Sequence, residues 1–564
     1  MIKYTKEVAV EDSGENMEIN NKGKTLIKKI LKKRNPPDIS VIIPFYNVEE
    51  YIEECLNSLF DQKGVVFEVI LINDDSTDRS EEIARDFMKK HDNIQLYSID
   101  QNGPGYARNY GVQFAKGNYL AFLDADDKLV KGIYSKMLRA AKNQNAEVCI
   151  CNVARFNSKR RWSSDLHEKA YKDYEFCTHI TSSHSLIYDT TVWNKIIKRE
   201  FYIRNNISFP EHVVYEDIIP NADIHIKCNK VVMLPETGYL WRVRDEKENA
   251  SITQEFYSDI NIRDRMSAVE GLVQRSLSKD LPPQLKNVIH YKILETDLRI
   301  VLNSVNHLSA EKASLLLERV NAFVEAHINP AVINSLSITD MQMYDYVRKG
   351  DVAGLRKLID YRGGGYNTAP VLESEGILYA NIPRDLISIE KRTMNDEFDR
   401  SPRRVWIDEI HHSDAGYIIN AHIYIHRYNM SKPSDQSVRV KLLNEETGQI
   451  VEVETQQIQT HFLTERYGEV FDEATNTTTC YNYDYTGFSF VIDHSLMHDW
   501  AQKTRTRYFA VAEFEDHLFS GREIIRGVKN SDRKEYEEYR TRINNRTVRI
   551  KFGAQKELQI IIEK

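Results

Sequence analysis

Cysteine is scarce in this 564-residue chain, and no two cysteines form a recognisable pair. Its six cysteines are scattered, and the closest two, Cys149 and Cys151, lie one residue apart in an apolar run. In a strand, residues at that spacing point to opposite faces. The sequence therefore predicts no disulfide framework, and it favours a reducing, cytoplasmic compartment.

Long apolar runs are missing as well. None reaches the roughly 18 residues that a membrane-spanning helix requires, and no signal peptide is recognisable. The net charge is −8 with both signs interspersed, so overall electrostatics give no reason to expect nucleic-acid binding. Hydrophobic residues make up 41% of the chain, enough for packed cores. At about 150 residues per domain, three or four domains are expected.

Residues 1–38 are predicted to form an extension in front of the first domain. Within it, residues 22–34 carry seven Lys and Arg residues around an apolar helical face. A short basic amphipathic helix of this kind can lie on an anionic membrane surface. A solvated helix packed on the following domain fits the same pattern, and both interpretations remain open.

Residues 39–255 alternate between strand and helix patterns. Strands are predicted at 39–43, 67–72, 94–99 and 119–123, and helices at about 48–59, 77–90 and 105–115. This order predicts a parallel sheet covered by helices on both faces. Ligands bind beyond the carboxyl ends of such strands, and polar residues follow each of these strands in the sequence.

Three carboxylates, Asp124, Asp126 and Asp127, follow the last of these strands. Like charges this close repel one another, so a counter-cation such as Mg²⁺ or Mn²⁺ is expected unless the segment is only an acidic surface turn. Sixteen residues before Asp124, Arg108 lies one turn into a predicted helix that begins in a glycine-rich stretch. That arginine is placed to meet a phosphate or the carboxylates themselves.

Four motifs in this region resemble, in order and spacing, the family-2 glycosyltransferases of the GT-A fold. They are residues 41–47 (VIIPFYN), residues 72–78 (INDDSTD), the segment around Arg108 and residues 124–127 (DADD). The resemblance implies an α/β GT-A domain with a Rossmann-like, mostly parallel sheet that binds a UDP-sugar and a divalent ion, Mn²⁺ or Mg²⁺, held by Asp126. It implies nucleotide-sugar contacts from Pro44, Tyr46, Asn47, Asp74, Asn102, Arg108, Asp124, Ala125, Lys195, Arg242, Arg244 and Ser251. One departure is Asp75, which stands where the family has glycine and puts the backbone of that turn in question.

The second half of the domain resembles the same family's acceptor motifs. Residues 192–195 (VWNK) and 215–217 (YED) carry this resemblance, which implies that Asp217 is the catalytic base and that Glu216 supports it. Inverting transfer requires a carboxylate near the acceptor hydroxyl, opposite the leaving diphosphate. Residues 241–244 (WRVR), followed by Ser251, resemble an arginine-rich closing segment, although the loop between them is longer than in the family.

The hydrophobic pattern changes twice in the remainder of the chain. Residues 256–365 show helical periodicity and are predicted to form a linker with a hinge at 362–365. Residues 366–564 alternate in the manner of strands, which predicts an immunoglobulin-like β-sandwich of one or two units. Tyr481, Tyr483 and Tyr485 there are either surface aromatics that stack on sugars or one face of a strand.

This order of domains resembles the wall teichoic acid β-glycosyltransferases of Gram-positive bacteria. The resemblance implies a homotrimer formed by the C-terminal region and transfer of N-acetylglucosamine, or else glucose, to a hydroxyl of a polyol-phosphate polymer, with peripheral contact to the inner face of the membrane. A polysaccharide acceptor of a capsule or exopolysaccharide is the alternative. A sugar nucleotidyltransferase is disfavoured because residues 44–47 are not a glycine-rich loop, and a non-catalytic scaffold because Asp126 and Asp217 are both present.

Overall fold

The structure is a computed structural model of the chain. It describes residues 36–172, 174–244, 258–279, 281–364, 371–374, 377–380, 386, 404–413, 416–424, 430–445, 447–467, 469–472, 477–493, 505–516, 520–527, 539–543, 546–552 and 558–563. The basic helix predicted at 22–34 and the predicted ligand contact Ser251 lie outside these residues.

The first domain is built on a ten-stranded sheet. Its strands are β1 Ile39–Phe45, β2 Phe67–Asp74, β3 Ile94–Ile99, β4 Tyr119–Phe122, β5 Lys128–Leu129, β6 Val148–Phe156, β7 Arg161–Ser163, β8 Cys177–Thr178, β9 Lys195–Lys198 and β10 Val231–Arg242. The helices between them are α1 Ile52–Phe60, α2 Ser80–Lys90, α3 Gly103–Val112, α4 Ile133–Gln144, α5 Asp165–Ala170, α6 Arg199–Arg204 and α7 Ile218–Lys227. A 3₁₀ helix spans His184–Tyr188.

Strand order places a ligand crevice beside β1. The sheet runs β3-β2-β1-β4-β9-β6-β10-β5, and β1 pairs in parallel with both β2 and β4. The chain builds outward from β1 to β3 and then returns to the other side of β1 for β4, so the order reverses between β1 and β4. Ligands bind at such a switch point, outside the carboxyl ends of the strands. The parallel order predicted for these four strands is confirmed.

Apolar burial and one close approach explain why these elements form. All residues of β1 and β4 are buried, which is typical of strands covered on both faces. Helix α3 reaches the sheet through Gly111, where a Cβ atom would lie 2.6 Å from Ile42 Cγ2. A side chain at this position would push α3 away from β1, and the start of α3 carries the residues of the crevice.

Helices follow the first domain. They are α8 Asp259–Ser276, α9 Pro283–Lys292, α10 Arg299–Asn303, α11 Ala310–His327, α12 Pro330–Ile333, α13 Ile338–Lys349 and α14 Val352–Gly364, with a π-helical turn at Ile293–Leu298 and a 3₁₀ turn at Ser304–His307. The hinge predicted from residue 362 is not seen in its described part, because α14 continues through Gly364 and Arg362 donates to Asp340 at 2.5 Å. None of the helices in the described ranges could cross a membrane, by length and apolar character.

The C-terminal region is rich in strands. They are β11 Val371–Ser374, β12 Ile377–Ala380, β13 Arg404–His412, β14 Gly416–Tyr424, β15 Gln436–Asn444, β16 Ile450–Val453, β17 Thr455–Ile458, β18 Glu469–Asp472, β19 Thr477–Cys480, β20 Gly487–Asp493, β21 Arg505–Asp516, β22 Ser520–Gly527, β23 Tyr539–Ile543, β24 Arg546–Phe552 and β25 Leu558–Glu563. A 3₁₀ turn, Pro433–Asp435, and helix α15, His461–Tyr467, interrupt them. Eleven strands form one sheet in the order β17-β20-β14-β13-β22-β21-β25-β24-β23, with β15 joining β16 to β21.

Two aromatic side chains of this region are buried. Tyr481 is 3% exposed and Tyr483 is fully buried, so neither can stack on a sugar at the surface, and that prediction is wrong for both. The alternative, one face of a strand, is not seen either, because both residues lie in the segment between β19 and β20. Strands β15 and β16 pair as an antiparallel hairpin.

A buried ionic cluster joins the C-terminal sheet to the first domain. Glu236 of β10 accepts from Lys136 of α4 at 2.5 Å and from Arg507 of β21 at 2.7 Å, and Arg507 lies 3.3 Å from Glu445. Burial, followed by the negative charge of Glu236, raises the pKa of Glu445 to about 8. Burying charged groups costs free energy because they lose their hydration, and here each region supplies part of the compensating charge.

Candidate active site

The candidate site lies where the loops after β1, β2 and β4 meet the start of α7. Leu123 N donates to Ile42 O at 3.1 Å. Residues 124–127, which we call the acidic segment, therefore leave the sheet directly beside the end of β1. Tyr46, the first residue after β1, is 43% exposed and presents its ring at this edge. Pro44 and Ala125 are buried within the adjoining strand ends and shape the backbone there.

Asn47 and Asp75 fix the loops that follow β1 and β2. Asn47 donates its backbone N–H to Ser76 Oγ at 3.2 Å and accepts from Thr77 N at 2.8 Å. Asp75 has a φ of 66°, the left-handed region in which glycine is favoured and Asp is tolerated. The turn therefore keeps a glycine-like conformation in spite of the substitution.

Asp74 organises the glycine-rich turn in front of α3. Its two carboxylate oxygens accept the backbone N–H groups of Asn102 and Gly103, each at 2.8 Å. A carboxylate in this position also suits the positive end of the helix dipole. In this structure Asp74 thus anchors Asn102, which in turn donates to Asp100 O at 2.7 Å.

Arg108 connects the two halves of the site. Its Nη2 lies 2.8 Å from Asp124 Oδ1 and its Nη1 lies 2.5 Å from Glu216 Oε1. The guanidinium is buried and stands over the ring of Phe209 at 5.4 Å from its centroid. Burial alone would lower the pKa of Arg108, but the two carboxylates outweigh it and raise that pKa. The residue predicted on the nucleotide side therefore ties Asp124 to the acceptor motif.

Asp217 stands beside this triad and immediately before the first residue of α7. Burial, and then the negative charge of Glu216, raise the pKa of Asp217 to about 7. Its backbone carbonyl accepts from Asn221 Nδ2 at 2.7 Å, which holds the turn in place. A carboxyl group with this pKa exchanges its proton near neutral pH, as a general base must.

The acidic segment divides its three carboxylates among different partners. Asp127 is buried and accepts from Tyr239 Oη and from Arg242 N, each at 2.7 Å. Burial and the charges of Asp126 and Asp124 raise the pKa of Asp127 well above its usual range. This geometry makes Asp127 a structural residue of the segment.

Asp126 keeps a partly exposed carboxylate. Its Oδ2 lies 2.8 Å from Arg244 Nη2, and its backbone oxygen accepts from Arg242 Nε at 2.5 Å. Both arginines predicted at the nucleotide therefore meet the acidic segment.

The carboxylates of the acidic segment meet the requirements of a divalent metal ion only in part. No cluster of three His, Cys, Asp or Glu side chains in the described part of the chain could hold a metal. Asp124 pairs with the buried Arg108 and Asp127 accepts from Tyr239, whereas the partner of Asp126 is the partly exposed Arg244, so Asp126 is the carboxylate that fits best as a ligand. Mg²⁺ and similar ions are often held by one or two carboxylates together with substrate phosphates and water, and this set agrees with that pattern.

Lys195 does not reach the candidate site. Its side chain is fully buried, with the ammonium donating to Thr191 O and Asn221 Oδ1 and lying 3.0 Å from Asp189 Oδ2. Burial lowers the pKa of Lys195, against the pull of Asp189. The predicted nucleotide-sugar contact at this residue is therefore corrected, since its three polar contacts lie inside the protein and support the turn beneath Asp217.

Several residues that hold the site were not predicted. Asp189 pairs with His225 at 2.9 Å as well as with Lys195, and Asn221 links Lys195 to Asp217. An aspartate within the apolar stretch 186–192 is the sequence signal that could have indicated a buried partner. Tyr239, which bonds Asp127, carries no comparable signal in the sequence.

Comparisons of the sequence with known proteins find a glycosyltransferase family model and glycosyltransferase relatives. Residues 40–203 match the model of the family described as glycosyl transferase family 2. The uncharacterized glycosyltransferase EpsJ of Bacillus subtilis is 31% identical over 210 residues, which are 36% of this chain and 61% of that protein. The poly(ribitol-phosphate) β-N-acetylglucosaminyltransferase TarS of Staphylococcus aureus is 26% identical over 356 residues, 60% of this chain and 58% of TarS. The chain thus covers less than two thirds of the length of either relative.

Solved structures were compared with the chain as well. The crystal structure of S. aureus TarS 1–349 in complex with UDP-GlcNAc matches with a TM-score of 0.50 at 21% identity, covering 63% of this chain and 98% of that one. The predicted GT-A-like α/β domain with a mostly parallel sheet is confirmed by these matches. The immunoglobulin-like sandwich stays a prediction.

Replacing Arg108 with Met should destabilise the first domain. The substitution keeps the bulk but leaves Asp124 and Glu216 without their cation, so we expect the free energy of unfolding in urea to fall by about 3 kcal/mol. The control is Arg79→Met, which removes an exposed pair with Glu82 and should leave the unfolding midpoint unchanged. Adding Glu216→Gln to Arg108→Met should recover part of the loss. Equal midpoints for Arg108→Met and wild type would contradict the bridging role.

Proposed function

Because residues 40–203 form a family 2 glycosyltransferase domain, we propose that the chain is a metal-dependent inverting glycosyltransferase. It moves a sugar from a UDP-sugar to a hydroxyl group of a cell-surface polymer and forms a β-linkage. The observation that carries this proposal is the Arg108 bridge between Asp124, at the end of β4, and Glu216, next to Asp217. The bridge brings the donor end of the sheet and a base of suitable pKa into one site.

In the proposed reaction, the acceptor oxygen attacks the anomeric carbon of the donor sugar. The bond from that carbon to the diphosphate breaks, UDP leaves with the bonding electrons, and the acceptor proton passes to a carboxylate oxygen of Asp217. Tyr46 and the loops tied by Asn47 line the end of the sheet where the nucleotide would bind. Arg108 holds Glu216 beside Asp217, and that negative charge supports the raised pKa of Asp217.

A divalent ion, when bound, would neutralise the charge that develops on the leaving diphosphate. Asp126 is the side chain that would hold it, because its partner Arg244 is only partly buried, whereas Asp124 pairs with the buried Arg108 and Asp127 accepts from Tyr239 and Arg242. Arg242 stays attached through its backbone contact with Asp127.

We infer N-acetylglucosamine as the donor sugar, with glucose as the second choice, and a polyol-phosphate polymer as the acceptor. Support comes from TarS, which is named for that sugar and a poly(ribitol-phosphate), and from the TarS 1–349 complex with UDP-GlcNAc. A capsular or exopolysaccharide acceptor is the alternative. Screening nucleotide sugars for acceptor-dependent release of free nucleotide distinguishes these choices, and no release from any UDP-sugar would contradict the proposal.

The base is tested by Asp217→Asn, which keeps the size of the side chain but cannot take a proton. We expect turnover to fall by a factor of about 10²–10⁴, the usual contribution of a positioned base, with donor affinity close to wild type. Glu216→Gln should cost less, because Gln can still accept from Arg108. Asp223→Asn, also on α7, is the control and should keep its turnover, since Asp223 pairs with Arg275. Unchanged turnover in Asp217→Asn would rule out this base.

Metal dependence is tested by Asp126→Ala. We expect turnover with Mn²⁺ or Mg²⁺ to be lost and the UDP-dependent heat of Mn²⁺ binding to disappear in calorimetry, since the ion loses its carboxylate ligand. The control is Glu54→Gln, which removes a nearby carboxylate paired with Lys128 and Arg242. That variant should still bind Mn²⁺. Full wild-type activity in excess chelator would overturn the assignment.

We further infer that the C-terminal strands form one or two immunoglobulin-like units that assemble the chain into a trimer, at work in the cytoplasm or on the inner face of the membrane. The eleven-stranded sheet of the described C-terminal residues motivates the assembly, and the six free cysteines fit a reducing compartment. Sedimentation equilibrium at micromolar concentration tests the assembly, and a monomer there would contradict it.

A further inference from the structure

A hairpin beside the candidate site carries a dense set of cations. Strands β6 and β7 are antiparallel neighbours, and the turn between them is fixed by Asn157, whose Oδ1 accepts from Lys159 N at 3.0 Å and from Arg160 N at 2.9 Å. Lys159, Arg160 and Arg161 follow one another and are all exposed. We call these three residues together with Arg155 of β6 the basic hairpin.

Strand pairing puts the basic hairpin next to the acidic segment. Phe156 pairs with Arg161 on one side and with Arg242 on the other. Adjacent strands lie about 4.8 Å apart, so the backbone of Arg161 is roughly 10 Å from that of Arg242. Arg242 in turn bonds Asp126 O and Asp127 Oδ1. A chain bound along the hairpin would therefore lead directly to the proposed reaction centre.

Among the described residues, the cations of the basic hairpin differ from their neighbours in forming no salt bridge, although the charge of Asp165 acts on Arg155 from beyond salt-bridge distance. Arg242, Arg244 and Lys128 pair with Glu54 or Asp126. In the part of the chain that the structure describes, the four cations of the basic hairpin form no ion pair. Arg155 is half-buried, burial lowers its pKa, and its Nε is buried without a hydrogen-bond partner among those residues. A half-buried guanidinium of this kind favours an incoming anion.

Aromatic rings alternate with these cations. The Arg155 guanidinium stands 4.3 Å from the ring centroid of Trp241, and that of Arg160 stands 4.9 Å from Trp162. Trp241 also packs against Trp193 of the acceptor motif at 5.4 Å. Stacking on a ring restrains each guanidinium group, and aromatic rings beside the cations offer apolar surface to the carbons of a polyol or sugar.

We propose that the basic hairpin is a docking surface for the acceptor and binds the phosphate groups of a phosphodiester-linked polymer. The inference rests on the proposed function and adds the surface of this chain that binds the acceptor. Charge-assisted contacts from Arg to phosphate supply the affinity, and the spacing of the phosphates along the polymer lets several contacts form together. A neutral polysaccharide would leave the four cations unused, so the hairpin favours the polyol-phosphate acceptor over it.

An anionic membrane surface is the competing partner for such a patch. Residues 157–161 have the sequence Asn-Ser-Lys-Arg-Arg and contain no apolar side chain to insert between lipids. Trp162, the nearest aromatic residue, lies under Arg160 and is only partly exposed. The hairpin therefore fits a hydrated phosphate chain better than a bilayer.

The test compares two double variants of the full chain that remove the same charge. Arg160→Gln with Arg161→Gln changes the hairpin, and Lys89→Gln with Lys90→Gln changes the far end of α2. Calorimetry measures binding of a ribitol-phosphate oligomer, of neutral dextran, and of phosphatidylglycerol vesicles. We expect the hairpin variant to bind the oligomer on the order of tenfold more weakly. The α2 variant should bind it as wild type does, and UDP binding should be unchanged in both.

The outcomes separate this inference from the proposed function. Oligomer binding that is lost only in the hairpin variant supports the docking surface, even if no UDP-sugar is ever consumed. Equal oligomer binding by both variants overturns it, even if transfer to another acceptor is found. Loss of vesicle binding without loss of oligomer binding assigns the hairpin to the membrane and also overturns it, as does dextran binding that depends on the two arginines.

Discussion

The site depends on the buried guanidinium of Arg108. Burying a charge is costly unless partners compensate for it, and here two carboxylates from distant parts of the chain do so at 2.8 and 2.5 Å. Asp124 follows strand β4 and Glu216 precedes helix α7, so one side chain determines how the sheet edge and that helix meet. The same contact holds Glu216 beside Asp217, the proposed base, whose pKa is raised by burial and then by the negative charge of Glu216.

Much of the first domain could be predicted because its elements are encoded locally. Strands β1 to β4 are short apolar runs between turn residues, and the observed bounds of β3 are those predicted. Asp75 illustrates a local rule as well, since a turn that requires positive φ tolerates Asp in place of glycine. The motif residues Asp74, Arg108, Asp124, Glu216 and Asp217 all gather at the carboxyl ends of the strands, as the parallel topology requires.

What could not be predicted depends on tertiary neighbours. Lys195 lies in a motif beside the site, yet its ammonium turns inward because Asp189 and Asn221 meet it there. Tyr481 and Tyr483 alternate in the sequence like residues of a strand, but they lie in the segment between β19 and β20, and the fold buries both. The ionic cluster of Glu236, Glu445 and Arg507 joins residues more than two hundred positions apart, and no local pattern reports such a contact.

The pH dependence of kcat/KM for transfer tests the central claim most directly. The proposed base, Asp217, must be without its proton to act, and its pKa is raised to about 7, so kcat/KM should fall as the pH drops below about 7. In Asp217→Asn the residual rate should lack this acid limb. Glu445 also has a raised pKa, about 8, but lies at the domain junction, so Glu445→Gln should keep the limb in place. An acid limb that survives in Asp217→Asn, or one that disappears in Glu445→Gln, would contradict the account.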